Sequence, residues 1–130
     1  MESIKQTAGF DCPAHAVYEA LTSDEVTAEF TGAPAKIEAK VGGEYSAYNG
    51  DLEGEFTKLV PDELIAMRWR CIMDDWPEDH YSVVTIELFQ SSDGTELQFM
   101  QSDIPAACVD EVAEGWMDYF WEPMQKMFEW

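Results

Sequence analysis

Val109-Asp110-Glu111-Val112-Ala113-Glu114-Gly115-Trp116-Met117-Asp118-Tyr119-Phe120-Trp121-Glu122-Pro123-Met124-Gln125-Lys126-Met127-Phe128 places Val112, Ala113, Trp116, Met117, Phe120, Met124, Met127 and Phe128 at helical spacing. A helix with so bulky an apolar stripe must lie on an apolar surface. Asp110, Glu111 and Glu114 sit in its N-terminal part and Lys126 near its end, each on the side that the helix dipole favours. Pro123 is the exception. An interior proline removes one backbone donor and crowds the carbonyl four residues back, so a kink or split is expected near Tyr119.

The surface to be covered is supplied upstream, where the hydrophobic period is two. Ile37, Ala39 and Val41 alternate from about residue 35, Gly42-Gly43 marks a bulge or tight corner, and Tyr45 and Ala47 resume the run. Asn49-Gly50 is a hairpin signal, because both residues tolerate positive φ. Strands are expected from Leu52 to Val60, across Ile65, Met67, Trp69 and Cys71, from Ser82 to Gln90, and from Thr95 to Ser102. At the N-terminus Ile4, Gln6, Ala8 and Phe10 alternate, and Asp11-Cys12-Pro13 stops that strand. Two short helices are expected next, the second capped by Ser23 and ended by Gly32. The order of elements predicts an α+β fold: an antiparallel meander covered by a long C-terminal helix.

The 130 residues suffice for one domain, and 46% apolar residues, with 13% aromatics, can fill its core. Seven Lys and Arg face 27 Asp and Glu, a formal charge of −20 that is shared by both halves of the chain. Nucleic acid and anionic membranes are therefore excluded as partners. Such a surface favours a soluble monomer and can steer a basic partner. The start of the chain lacks the pattern of a secretory signal, and no run is long and apolar enough to span a bilayer, so a cytoplasmic protein is expected. Cys12, Cys71 and Cys108 read as free thiols.

Cys12 and His15, three residues apart, are the one thiol–imidazole pair close in sequence, but no third group accompanies them. His80 ends Trp76-Pro77-Glu78-Asp79-His80, a segment read either as a loop anchored by a buried ring or as a partner contact. Arg68 and Arg70 share one face of a strand, where they either pair with Glu53, Glu55 or Glu87 or form an anion-recognising patch. Gly115 marks a close approach of helix to sheet or the rim of a cavity. Phe56, Met67, Trp69, Phe99, Trp116, Met117, Phe120 and Met124 form the expected inward set: a packed core or the lining of an apolar pocket of roughly 300–1,000 Å³. No nucleophile, base and orienting group converge, so no enzyme, cofactor or metal site is expected.

Several segments, taken in order, add a family resemblance. They are Glu29-Phe30-Thr31-Gly32-Ala33-Pro34-Ala35, Val41-Gly42-Gly43-Glu44-Tyr45, Asn49-Gly50 with Gly54-Glu55-Phe56, Leu59-Val60-Pro61, Met67-Arg68-Trp69-Arg70, Trp76 to His80, Ile104-Pro105-Ala106 and Gly115-Trp116. Over essentially its whole length the chain resembles the C-terminal domain of the activator of the heat shock protein 90 ATPase, of the START-like (SRPBCC) helix-grip superfamily. The resemblance implies a curved antiparallel sheet of about six to seven strands wrapped on the long helix, with two short helices after the first strand. It also implies a co-chaperone that binds a heat shock protein 90-class chaperone and stimulates its ATPase. Read this way the chain is one domain, 1–130, without the N-terminal domain that two-domain activators carry. The alternative is a START-like protein holding a small hydrophobic ligand between helix and sheet; an enzyme that detoxifies or cyclises a substrate on the same fold is a third.

Overall fold

Alternation along residues 94–104 turns Leu97, Phe99 and Gln101 inward and Glu96, Gln98 and Met100 outward, and this strand lies within a single seven-stranded antiparallel sheet. In the computed structural model, which describes residues 1–128, the strands are β1 (Glu2–Phe10), β2 (Lys36–Ile37), β3 (Glu44–Ala47), β4 (Leu52–Val60), β5 (Leu64–Cys71), β6 (Ser82–Ser91) and β7 (Gly94–Ile104). Their spatial order is β1-β7-β6-β5-β4-β3-β2, so the first strand returns to pair with the last and the rest form a meander. Between β1 and β2 come α1 (Ala14–Thr22) and α2 (Asp24–Thr31). Ser23 caps α2 by accepting from the Val26 N–H at 3.3 Å, and Gly32 closes it at φ 75°. The curved sheet wraps on the C-terminal helical segment, giving the expected α+β helix-grip architecture.

Two strand expectations change. Only Lys36–Ile37 pairs in the first part of the 35–41 run; the chain then turns, with the Gly43 N–H donating to the Lys40 carbonyl, and Val41 is exposed. A side chain on Gly43 would run into the Glu38 carbonyl, so the corner requires a glycine there. At Asn49-Gly50 both residues do have positive φ, but Tyr48 joins them at φ 52°, and the connection spans four residues, not two. A tyrosine in the left-handed region is strained, and the Asn49 N–H holds the turn to the Pro34 carbonyl at 2.9 Å.

The C-terminal segment is split as Pro123 predicts. Helix α3 (Val109–Trp116) passes into a π-helical turn, Met117–Trp121, and then into α4 (Glu122–Met127). The Glu122 N–H donates five residues back to Met117, and Pro123, with no N–H to offer Tyr119, falls in the first turn of α4, where none is needed. The wider turn brings Trp121 round to pack on Phe99 of β7. Met117 is 55% exposed, which corrects its assignment to the inward set.

A cleft at the junction of helix and turn

Phe56, Met67, Phe99 and Met124 are fully packed core, whereas Trp69, Trp116 and Phe120 combine burial with a place in the wall of a cleft of about 390 Å³. Three of the eight residues of the expected inward set thus border the cleft. Its floor lies on β5 and α3, and its flank is the π turn and the β3–β4 connection. Tyr48, projected by its left-handed backbone, stacks edge-on against Tyr119 with ring centroids 5.1 Å apart and against Phe120 at 6.3 Å. Burial, together with the neighbouring Tyr119 hydroxyl, pushes the Tyr48 phenol up to about 12.

Ile72 and Met73 complete the apolar wall, and Asp51 and Glu111 are its two carboxylates. Between them Cys71 is desolvated, and the charges of Asp51 and then Glu111 act in the same direction, raising the thiol to about 11. Gly115 also borders the cleft. A Cβ there would meet only the Tyr119 ring at 3.8 Å, so this glycine is at a rim and not at a contact between helix and sheet.

A buried polar chain runs beside the floor. Trp116 Nε1 donates to Gln101 Oε1 at 2.8 Å, Gln101 Nε2 donates to Ser82 Oγ at 2.8 Å, and that hydroxyl donates to the Trp69 carbonyl at 2.7 Å. A second clasp joins Trp121 Nε1 to Gln6 Oε1 at 2.7 Å, while Gln6 Nε2 donates to the Ala113 carbonyl. Trp69 Nε1 is buried and makes no hydrogen bond among the described residues.

The Trp76–His80 segment is a pinned loop. Trp76 is only 5% exposed; its Nε1 donates to the His80 carbonyl at 2.8 Å, and its ring packs edge-on against Trp69. The Trp76 ring is therefore an anchor and not a surface contact. His80 Nε2 donates to the Asp103 carbonyl at 2.6 Å, and Pro77, Glu78 and Asp79 are exposed. On the outer sheet face Arg70 pairs with Glu53 at 2.6 Å and Arg68 lies 3.8 Å from Glu55, as direct cross-strand register dictates. Tyr81 lies under both guanidinium groups, 4.4 Å from Arg68 and 5.9 Å from Arg70. Tyr81, next in sequence to His80, thus joins the loop to the arginine pair, of which Arg68 is the exposed member.

Cys12 and His15 do not make a pair. His15 turns to Asp62, its Nδ1 donating at 2.9 Å, and to Glu19, and the Asp62 hydrogen bond raises its basicity. Burial, then Asp11, raises the Cys12 thiol. No group of three metal-ligating side chains is present among the described residues. None of the helices among them is long and apolar enough to cross a membrane.

Comparison with known proteins bears on the whole chain. The sequence profile described as activator of Hsp90 ATPase homolog 1-like protein matches residues 11–129. The chain belongs to this family. The activator of 90 kDa heat shock protein ATPase homolog 1 of Mus musculus is 37% identical over 112 residues, which is 86% of this chain and 32% of that protein. The Homo sapiens protein of the same description is 36% identical over the same span. The chain thus spans about a third of the length of the curated relatives it matches. Among solved structures, an HSP90 activator from Plasmodium falciparum superposes with a TM-score of 0.91 at 26% identity, covering 98% of this chain and 96% of that one. In this member of the Hsp90-activator family, the residues that sequence patterning missed are Tyr48, Asp51, Glu111 and Tyr119 of the cleft, and the glutamines Gln6 and Gln101. Its place directly before the Asn49-Gly50 turn was the available signal for Tyr48.

Proposed function

We propose that this chain is a cytoplasmic co-chaperone that binds an Hsp90-class chaperone and raises its ATPase rate without itself performing the hydrolysis. The observation that carries this reading is the 37% identity to a mammalian Hsp90 ATPase activator across 86% of the chain. A stimulator of this kind works by differential affinity: it must hold the chaperone's hydrolysing conformation more tightly than the resting one. The surface best suited to that contact is formed by Pro77, Glu78, Asp79, His80, Arg68 and Arg70, joined through Tyr81. The charge of −20 steers a basic face toward the protein, so association slows with added salt. Self-repulsion of that charge keeps the chain monomeric at low salt.

The test is the steady-state ATPase rate of the Hsp90 homologue of the same organism, with and without this protein, at two salt concentrations. A saturable, salt-sensitive rise is expected. An unchanged rate with no detectable binding overturns the reading.

The cleft favours a second reading, a START-like binding protein, since its volume suits a small ligand. Native mass spectrometry of the purified chain would then show a bound mass that Trp116→Ala abolishes; no bound mass at any stage of purification counts against it.

A further inference from the structure

We propose that the cleft between the π turn and the β3–β4 connection binds a small organic cation, an ammonium or guanidinium group carried on an aryl or short alkyl body. The inference rests on the second reading, that the cleft holds a ligand, and names the chemistry it selects.

Three observations converge. The walls are aromatic: Trp69, Trp116, Phe120, Tyr48 and Tyr119 line the cleft, and aromatic rings attract cations. The charged residues at the cleft are all of one sign, Asp51 and Glu111, and no Lys, Arg or His lines it among the described residues. Both carboxylates raise the half-buried Cys71 thiol in the cleft wall, outweighing the opposite pull of Arg70 on the neighbouring strand position. An anion would meet two carboxylates.

The cleft is built to stay open. Tyr48 is held in the left-handed region, a costly conformation for a bulky residue that recurs at ligand-clamping positions. The π turn and Gly115 together keep the rim clear, where a regular helix with a side chain at position 115 would narrow it.

The test uses the full chain, labelled with nitrogen-15, in 150 mM salt on the order of physiological strength. It is titrated with 3-phenoxypropylammonium and with its neutral counterpart 3-phenoxypropan-1-ol, following the amides of Tyr48 and Gly115 and the Trp69 indole. The cation should saturate these signals and bind about tenfold more tightly than the alcohol. Asp51→Asn with Glu111→Gln, both exposed positions, should erase that difference, whereas Glu25→Gln with Glu29→Gln on the exposed face of α2 should preserve it. Equal binding of cation and alcohol at the cleft overturns the cation inference and leaves the ligand reading standing. No shift at the cleft with either probe overturns both. Cation shifts scattered over the acidic surface, weakened equally by the α2 changes, overturn the inference in favour of general charge attraction.

Discussion

Trp116 on α3 donates its indole N–H to Gln101 on β7 across 2.8 Å, and both side chains are buried. The bond ties the helix to β7 at the residue whose ring also packs on Trp69, Phe99, Phe120 and Trp121. An indole so enclosed needs an acceptor, and the glutamine supplies it while its own amide passes a proton donor on to Ser82. The aromatic stack and the polar chain therefore fix the same helix in two independent ways.

Gln101→Leu keeps the volume but strands the Trp116 N–H. Leaving a buried donor unpaired costs about 1–3 kcal/mol, so urea unfolding should show that loss with an unchanged slope. Gln98→Leu, on the exposed face of the same strand, should shift stability by no more than about 0.5 kcal/mol. Equal effects at the two positions would mean that the Trp116–Gln101 bond contributes nothing.

Pro123→Ala separates two pictures of the C-terminal helix. Were residues 109–127 one regular helix, removing its interior proline would stabilise the protein by up to about 3 kcal/mol. With the π turn in place, Pro123 lies in the first turn of α4, where its fixed φ restricts the unfolded chain at no cost to the folded one. The substitution should then destabilise the protein by about 0.4–1 kcal/mol, read by thermal or denaturant unfolding.

The strands with strict alternation, β5 to β7, were legible because one face is packed and the other solvated; that Arg68 and Arg70 meet cross-strand carboxylates was one of two readings, and register selects Glu55 and Glu53 from the three candidates. Ser23 and Gly32 marked the ends of α2 for reasons local to those residues. What local pattern could not carry was phase across a π turn. Helical spacing put Met117 inward and passed over Trp121, whose burial depends on one extra residue per turn. The cleft was only half legible for a related reason. Trp69, Trp116 and Phe120 announce themselves by size, but Tyr48, Asp51 and Glu111 come from separate elements and meet only when the sheet curves around the helix.

Gly115→Ala should stabilise the protein. Its Cβ would meet only the Tyr119 ring at an ordinary 3.8 Å, while alanine gains about 0.5–1 kcal/mol over glycine inside a helix. Gly43→Ala should do the reverse, because its Cβ would overlap the Glu38 carbonyl and lies 2.8 Å from that of Lys40, and backbone cannot swing aside as a side chain can. Thermal unfolding of the two variants should move in opposite directions. A destabilised Gly115→Ala would mean that the rim has less room than the structure gives it.

Cys71 gives a pH dependence with a definite sign. Its thiol is pushed up to about 11 from an ordinary value of 9.0, first by burial and then by Asp51 and Glu111. As pH rises through the ordinary value the unfolded chain loses this proton while the folded chain keeps it. The group's contribution to stability is therefore intact below about pH 9 and falls between about pH 9 and 11. The same shift governs reactivity, since the thiolate is the nucleophile. Alkylation by iodoacetamide, followed residue by residue by mass spectrometry, should leave Cys71 largely unmodified at pH 8 and bring it to half its limiting rate near pH 11. Asp51→Asn with Glu111→Gln should move that midpoint downward, and since burial is the larger cause, the midpoint should stay above 9.0. A midpoint unmoved by the double substitution would place the two carboxylates outside the electrostatic reach of the cleft and remove the field on which cation recognition depends.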